Sequence, residues 1–413
     1  MGIATLQVMV ILVSGAAFSL AWAPEPHSDW LLYWHSAGDP GTYERGGLGL
    51  WLLAFPKALG VAPHIAALWL NLPAAAWLCA LAYRVDRTRF RIFAQLTAGY
   101  LLLIAPYFGV VQLDLVGAAF LATGLWALLG ELPARRGHAS RVGIAVVAIA
   151  VAVSTRPQYA LVLWALIGLL AVGWFVGQRW NLHRLALVVA GLLVGSVAGF
   201  GVDMGLRLAS GNTEQIRTSS AVTLYAGLLA SSDSRADRCG QWTPEAAQAA
   251  RDDMHLPLAS AIYQRLVSHP PMHWAKVLGC KAPQIVSPPA YALYWSLESP
   301  NVVAAREKRE DGGRFEAQYA AATKWEKRVV RLLGVAILIA CACSAWRGWQ
   351  ARSLIPALLP LAWVAAFWLV HMVFEIQGRY FLGLYVVAPL LCAMAWEMAS
   401  RPKQLPRVTA GAS

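Results

Sequence analysis

Apolar residues fall into long runs along this chain, and arginines gather in the short gaps between the runs. A helix that crosses the hydrocarbon core of a membrane needs about 20 mostly apolar residues, with its backbone hydrogen-bonded inside the segment. The pattern therefore predicts an all-α, polytopic membrane protein with about ten spans. These spans cover residues 3–22, 62–83, 92–111, 114–131, 142–155, 158–176, 185–203, 329–346, 354–373 and 380–397.

One further apolar stretch, from Gly47 to Gly60, is broken by Pro56 and Lys57. It is shorter than the length that a span needs, so we interpret it as an interfacial or re-entrant helix. Counting it as a span instead would reverse every later helix and place the arginine clusters outside. The sequence leaves both readings open.

The basic residues indicate which connections face the cytoplasm. They occur in alternate connections and in the C-terminal tail, as the positive-inside rule requires if both termini are cytoplasmic. The chain then divides into an N-terminal transmembrane module (1–203) with a first outer loop (23–61), a large outer loop (204–328), and C-terminal helices with a tail (329–413). The clusters are Arg84, Arg87, Arg89, Arg91; Arg135, Arg136, Arg141; Arg179, Arg184; Arg347, Arg352; and Arg401, Lys403, Arg407.

Composition agrees with a lipid environment and argues against nucleic acid. Hydrophobic residues make up 58% of the chain and charged residues 14%, and the mean hydropathy is +0.51. The net charge of +12 would suit a phosphate backbone. Because the arginines lie at span ends and no nucleic-acid recognition motif occurs, we expect no nucleic-acid partner.

The large outer loop is predicted to be partly helical. Thr243, Pro244 and Glu245 form the pattern of a helix start, with a capping hydroxyl, a proline in the first turn and an acid beside it. Residues 256–280 mix apolar and polar side chains as amphipathic helices on a membrane surface do.

The cysteines predict one disulfide and no metal site. Cys239 and Cys280 both lie in the large outer loop, where an oxidising compartment favours their pairing. Cys79, Cys341, Cys343 and Cys392 lie in or near spans and are expected to be free thiols. A C-x-x-C motif is absent from the sequence, so no metal or other cofactor is indicated.

Polar side chains recur where four connections meet the predicted outer face. Charged groups at membrane depth cost about 2.5–3.5 kcal/mol each and usually serve function. Because the four connections share one depth, a helix bundle can gather them around one pocket. The candidates are Asp29, Asp39, Glu44 and Arg45; Gln112 and Asp114; Arg156 and Gln158; and His371, Glu375, Gln377 and Arg379.

This set contains both signs of charge. A carboxylate can act as a general base toward an acceptor hydroxyl. Arginines can hold a lipid phosphate by paired, charge-assisted hydrogen bonds. The combination suits a transfer reaction in which a phosphate is the leaving group.

Five segments occur in order and resemble the GT-C glycosyltransferases, multispan enzymes that use polyprenyl-phosphate sugars, such as protein O-mannosyltransferases and lipid A aminoarabinose transferases. The resemblance covers about two thirds of the chain and implies a membrane glycosyltransferase that acts on the outer face of a bacterial inner membrane, facing the periplasm. The segments are HSDWLLYWHSA, YERGGLGLWLLAFPKAL, APYFGVVQLDLVGAAFLATGLWALL, STRPQYALVLWAL and EIQGRYFLGLYVVAPLL.

The resemblance also implies roles for particular residues. Asp29 matches the family's first-loop catalytic base, and Arg156 and Arg379 match the basic residues that bind the carrier phosphate. Further donor contacts are expected from Tyr33, Asp114, Gln158 and Glu375. The partners implied are a polyprenyl-phosphate sugar and an acceptor, which could be an exported protein such as a pilin, lipopolysaccharide or lipid A, or another glycan. Asp29 is followed by Trp30 where some members have an Asp-Glu pair, so metal dependence stays open.

Other readings of the same residues stay open. Asp29 could serve merely as a helix cap, and Arg156 could merely mark the end of a span. Glu375 and Arg379 could pair with each other across one helical turn. The aromatic stretch at 288–297 suits either an interfacial belt or a platform for a sugar ring. The competing functions are a transporter or flippase for lipid-linked saccharides, for which repeated halves would be expected, and a structural assembly factor.

Overall fold

The structure, a computed structural model, is helical throughout the part of the chain that it describes. No β-strand occurs in that part, which confirms the predicted all-α fold. The described residues are 2–38, 47–130, 139–177, 182–209, 222–230, 239–287, 292–308, 312–351 and 354–400.

The helices differ widely in length. In the first half of the chain they are Ile3–Trp22 (α1), Ser28–His35 (α2), Gly47–Ala58 (α3), Pro63–Val85 (α4), Ile92–Leu103 (α5), Asp114–Leu129 (α6), Ala139–Thr155 (α7), Gln158–Gly177 (α8) and Leu182–Ala209 (α9). In the second half they are Pro244–Asp252 (α10), Leu258–Val267 (α11), Pro271–Lys281 (α12), Ala292–Leu297 (α13), Pro300–Glu307 (α14), Gly312–Gln350 (α15), Leu354–Val373 (α16) and Leu382–Ser400 (α17).

Five helices among the described residues are long and apolar enough to cross a membrane. They are α1, α4, α9, α15 and α17, the last together with the short 3-10 helix Gly378–Phe381 that leads into it. Shorter apolar helices, α3, α5, α6, α7, α8 and α16, pack among them. These apolar helices indicate a membrane-embedded protein.

Helix α17 lies at the centre of the bundle. Every residue from Leu382 to Ala395 is buried, and the helix contacts α4, α5, α6, α15 and α16. On one side α6 packs on α7, and α7 packs on α9. Helix α1 lies at the edge, where only Ile11, Gly15 and Ser19 are buried. Of the five long apolar helices among the described residues, α17 is the most buried.

The predicted span 92–111 is interrupted in the structure. Helix α5 ends at Leu103, and Ala105–Gly109 continues as a 3-10 helix. Pro106 accounts for the break, because proline lacks an N–H and disfavours the α conformation of the residue before it. The Asn71 side chain donates to the carbonyl oxygens of Phe108 at 3.0 Å and Val110 at 3.3 Å, which fixes the path into α6.

Two other helices bear on the predicted boundaries. Helix α3 has 12 residues and is about 18 Å long, which is too short to cross a membrane. Its first backbone N–H, at Gly47, donates to Oδ1 of Asp203 on α9 at 2.7 Å. Helix α15 begins at Gly312 instead of near residue 329. Its charged first half is made of good helix formers that a hydropathy window ignores, so the predicted loop boundary at 328 falls inside a helix.

The described part of residues 204–328, the predicted large outer loop, has the predicted local features; we call it the outer segment. Thr243 caps α10 by accepting a bond from a first-turn backbone N–H at 3.1 Å. Cys239 and Cys280 form a disulfide, as the sequence predicts. The segment is tied to the start of the chain by Ser299, whose hydroxyl accepts a bond from the backbone N–H of Glu25 at 2.7 Å.

Candidate functional site

A buried ion pair lies where α7 ends and α6 begins. Arg156 donates from Nη2 to Oδ2 of Asp114 and to Oε1 of Gln112 at 2.7 Å. The hydroxyl of Tyr107 donates to the same Asp114 oxygen at 2.7 Å. Asp114 is 0% exposed and Arg156 is 3% exposed, so each charge stabilises a partner that would otherwise be costly to bury.

Local sequence explains how these two residues meet. Pro157 follows Arg156 and disfavours the α conformation there, so α7 ends at Thr155. A Cβ atom at Gly117 on α6 would lie 3.2 Å from Cγ of Arg156, so the glycine allows the arginine to pass close to the helix. Asp114 occupies the first turn of α6, where the helix dipole favours a negative charge.

Helix α2 brings the first loop to this pair. Nη1 of Arg156 donates to the hydroxyl of Tyr33 at 3.1 Å, and the guanidinium lies 5.4 Å from the centre of the Tyr33 ring. Asp29 precedes Tyr33 by about one turn of α2. The side chain of Asp29 lies outside the described part of the structure, so its role as a base stays a prediction.

Arg379 lines a pocket beside the ion pair. Its guanidinium lies 4.6 Å from the centre of the Trp295 ring, and its charge acts on both Tyr107 and Arg156. About 210 Å³ of space lies between the atoms that line the pocket, part of it open to solvent. It is lined by Tyr100, Ile104, Tyr107, Ala292, Trp295, Arg379 and Leu382.

Glu375 and its neighbours lie in the connection between α16 and the 3-10 helix that carries Arg379. The Gln377 side chain donates to a Glu375 carboxylate oxygen, and the backbone N–H of Glu375 donates to the carbonyl of Thr223 at 2.8 Å. Helix α16 ends at Val373. Glu375 and Arg379 therefore do not share a helix.

A buried lysine holds this connection in place. Nζ of Lys281 donates to the carbonyl oxygens of Gly227 at 2.5 Å, Met372 at 2.8 Å and Phe374 at 3.1 Å. We call these four residues the lysine junction. Lys281 is 1% exposed, and burial lowers its pKa to about 7, an effect that the nearby charge of Glu375 partly offsets.

Several buried donors around the ion pair have no acceptor among the described residues. They are Nε of Arg156, Nε2 of Gln112, Nε2 of Gln158 and Nε1 of Trp295. Buried polar groups in proteins almost always have partners, so such a group calls for an explanation. Of the four residues, Trp295 lines the pocket, where an oxygen-rich ligand could accept from its N–H.

The structure brings four of the predicted site residues that it describes into direct contact. Tyr33, Gln112, Asp114 and Arg156 are in direct contact, and Gln158 follows Arg156 by two positions. Asp39, Glu44 and Arg45 lie outside the described residues. The sequence reasoning missed Tyr107 and Lys281, and it named Trp295 only as part of the aromatic stretch 288–297. Tyr107 stands inside a segment quoted for the family resemblance, whereas nothing in the local sequence marks Lys281 as buried.

Among the described residues, no group of three or more His, Cys, Asp or Glu side chains is placed to hold a metal ion. No known family model, curated protein or solved structure matches this chain. The function is therefore argued from the site itself.

Proposed function

We propose that this protein is a membrane glycosyltransferase that moves a sugar from a polyprenyl-phosphate carrier to an acceptor on the outer side of the membrane. The observation that carries the proposal is the cluster of unpaired buried donors around the Asp114–Arg156 pair. Arg379 lies near this cluster, over the Trp295 ring. A site that offers two arginines and several N–H donors suits an oxygen-rich anion.

The proposed chemistry assigns a role to each part of the site. Asp29 takes the proton of the acceptor hydroxyl as that oxygen attacks the anomeric carbon of the sugar. The bond between this carbon and the phosphate oxygen breaks, and the phosphate leaves on the lipid carrier. Arg379 binds the phosphate directly, and Arg156 contributes its unpaired Nε–H. Asp114 holds Arg156 in place, with Tyr33 and Gln112 as the other partners.

The proposal includes an orientation. We place the protein in a bacterial inner membrane with about ten spans, both termini in the cytoplasm and the site facing the periplasm. The shorter apolar helices among the described residues supply the spans beyond the five long ones. The disulfide supports this orientation, because such bonds persist in the periplasm and are rare in the cytoplasm.

The test combines carrier binding with turnover in cells. Purified protein in nanodiscs is titrated with a polyprenyl phosphate, and surface glycans of a deletion strain are compared by mass spectrometry after complementation. Asp29→Asn should bind the carrier normally and fail to restore the glycan, because a positioned base contributes about 100- to 10,000-fold in rate. Arg379→Ala should lose carrier binding.

Matched controls separate the base from loop charge in general. Asp39→Asn and Glu44→Gln also remove one first-loop carboxylate each and should restore the glycan. If Asp29→Asn is active while one of these is inactive, the base is another residue. If the native protein binds no polyprenyl phosphate and the deletion changes no glycan, the glycosyltransferase proposal is wrong, and flipping of a lipid-linked saccharide is the next assay.

A further inference from the structure

Trp295 stands out among the residues that line the pocket. It lies on the short helix α13, is 6% exposed, and forms one wall of the pocket next to Arg379. Its indole Nε1–H is buried and has no acceptor among the described residues. The site thus holds a cation and an unused N–H donor at the same wall.

Three other tryptophans have acceptors for their indole N–H groups, whereas the buried Trp363 also lacks one among the described residues. The indole N–H of Trp30 donates to Nδ1 of His27 at 2.7 Å, that of Trp164 to the hydroxyl of Ser196 at 3.0 Å, and that of Trp274 to a backbone carbonyl at 3.0 Å. Indole N–H groups usually find a partner when buried. Trp295, unlike Trp363, lines a pocket beside a cation, so a ligand in that pocket is the partner that we expect for its N–H.

The position of Trp295 is fixed before any ligand binds. The hydroxyl of Ser296 donates to the carbonyl of Pro106 at 2.5 Å, which ties α13 to the connection before α6. The backbone N–H of Leu293 donates to Glu326 on α15 at 3.0 Å. The ring of His27 stacks on the Trp295 ring with their centres 6.0 Å apart. A donor held this firmly loses little entropy on binding.

The rest of the lining limits what the pocket can take. Apart from Arg379, Trp295 and the hydroxyls of two tyrosines, it consists of Ile104, Ala292 and Leu382. One of those hydroxyls, on Tyr107, already donates to Asp114. A sugar ring carries several hydroxyls that would stay unpaired here, whereas a phosphate joined to an apolar chain matches the cation, the N–H and the apolar walls together.

We propose that Trp295 binds the phosphate of the lipid carrier through its indole N–H, beside Arg379, while the apolar walls take the first isoprene unit and the sugar lies outside this pocket. This inference rests on the proposed function. It adds a residue that the sequence indicated only as part of an aromatic stretch, and it assigns the pocket to a prenyl monophosphate.

The experiment uses three probes on full-length protein in nanodiscs: farnesyl phosphate, farnesol and inorganic phosphate. Trp295→Phe keeps an aromatic ring and removes the N–H. Binding of farnesyl phosphate should weaken by about ten- to a hundredfold, as expected for a lost hydrogen bond to a charged group, while farnesol binding stays within about twofold. Trp295→His keeps a ring N–H and should recover part of the affinity.

Trp363→Phe is the matched control. Trp363 on α16 is 0% exposed and also has an indole N–H without an acceptor among the described residues, yet it is absent from the pocket lining. The control should bind all three probes as the native protein does. Thermal unfolding of each variant shows that it is folded.

The outcomes separate this inference from the proposed function. If the native protein and Trp295→Phe bind farnesyl phosphate equally, Trp295 is not a phosphate ligand and the proposed function stands. If Trp295→Phe weakens farnesol equally, the contact is apolar only and the inference is wrong. If inorganic phosphate binds as tightly as farnesyl phosphate, the pocket does not recognise the prenyl chain. If the native protein binds none of the probes, both this inference and the proposed polyprenyl-phosphate carrier are wrong.

Discussion

Replacing Asp114 with asparagine removes the negative charge that faces Arg156 and leaves the guanidinium buried. The change keeps the shape of the side chain, and the amide oxygen can still accept the bond that Tyr107 donates. Arg156 keeps its bonds to Gln112 and Tyr33. The perturbation is therefore the loss of one charge in a buried pair with little change in packing.

The magnitude follows from the burial of the pair. Removing one partner of a buried, hydrogen-bonded ion pair costs about 3–5 kcal/mol, because the other charge is left uncompensated. Since Arg156 retains two acceptors, we expect a loss near the lower end, about 3 kcal/mol in the free energy of unfolding. Arg156→Met leaves Asp114 buried without its partner charge and should lower the free energy of unfolding by about 3–5 kcal/mol.

The assay is unfolding in mixed micelles by increasing SDS, followed by circular dichroism, for both single variants and the double variant. When both charges are removed, neither is left buried alone. The double variant should therefore lose about 2 kcal/mol less than the sum of the two single variants. This coupling energy measures the pair and is insensitive to effects that each substitution has elsewhere.

Asp253→Asn is the matched control. Arg265 and Asp253 also form an ion pair, at 2.8 Å, but their side chains are 32% and 14% exposed. Asp253→Asn should lower the free energy of unfolding by about 1 kcal/mol or less, because solvent screens the charges. Equal losses at Asp253 and Asp114, or additive effects of Asp114→Asn and Arg156→Met, would refute the claim that the buried pair organises the site.

Three further predictions concern the outer segment. The disulfide joins cysteines with a sequence separation of 41. Replacing both, as Cys239→Ser with Cys280→Ser, should lower the free energy of unfolding by about 4 kcal/mol. If reduction of the native protein leaves the SDS midpoint of unfolding unchanged, this prediction is wrong. Lys281 has a pKa of about 7 in the folded protein against 10.5 ordinarily, so the unfolded chain binds more protons between these values and stability should rise with pH across that window. The rise should vanish in Lys281→Met, and a flat native profile would argue against a neutralised buried lysine. An alkaline-phosphatase fusion within 240–250 should be active and one after Arg401 inactive, and the opposite result would refute the proposed topology.

Features set by local sequence could be predicted, and the structure has them. The apolar run of α1, the Thr243 cap and the pairing of Cys239 with Cys280 each depend on nearby residue types or on a shared compartment. The break after Leu103 could also have been predicted, because Pro106 lies within the predicted span. It was missed because the mean hydropathy of a long window hardly changes with one proline.

Features set by distant contacts could not be predicted. Lys281 looks like a solvated charge, and its burial depends on carbonyl groups that lie 54, 91 and 93 residues away. Trp295 belongs to an aromatic stretch that suits a membrane interface equally well, and only the packing of α13 places it beside Arg379. Within the site, the sequence pattern indicated candidate polar residues, while three-dimensional packing decides which of them meet.

The lysine junction also imposes an order on biosynthesis. Cys239, Cys280 and Lys281 emerge from the ribosome long before Met372 and Phe374, which supply two of the three carbonyl groups that the ammonium needs. The disulfide can close on the nascent chain, since both of its cysteines precede α15. Lys281 must wait, solvated and charged, until α16 has been made. The disulfide therefore forms first and the part of the segment around Lys281 docks last. A chain truncated before residue 372 would carry a correct disulfide beside an undocked Lys281.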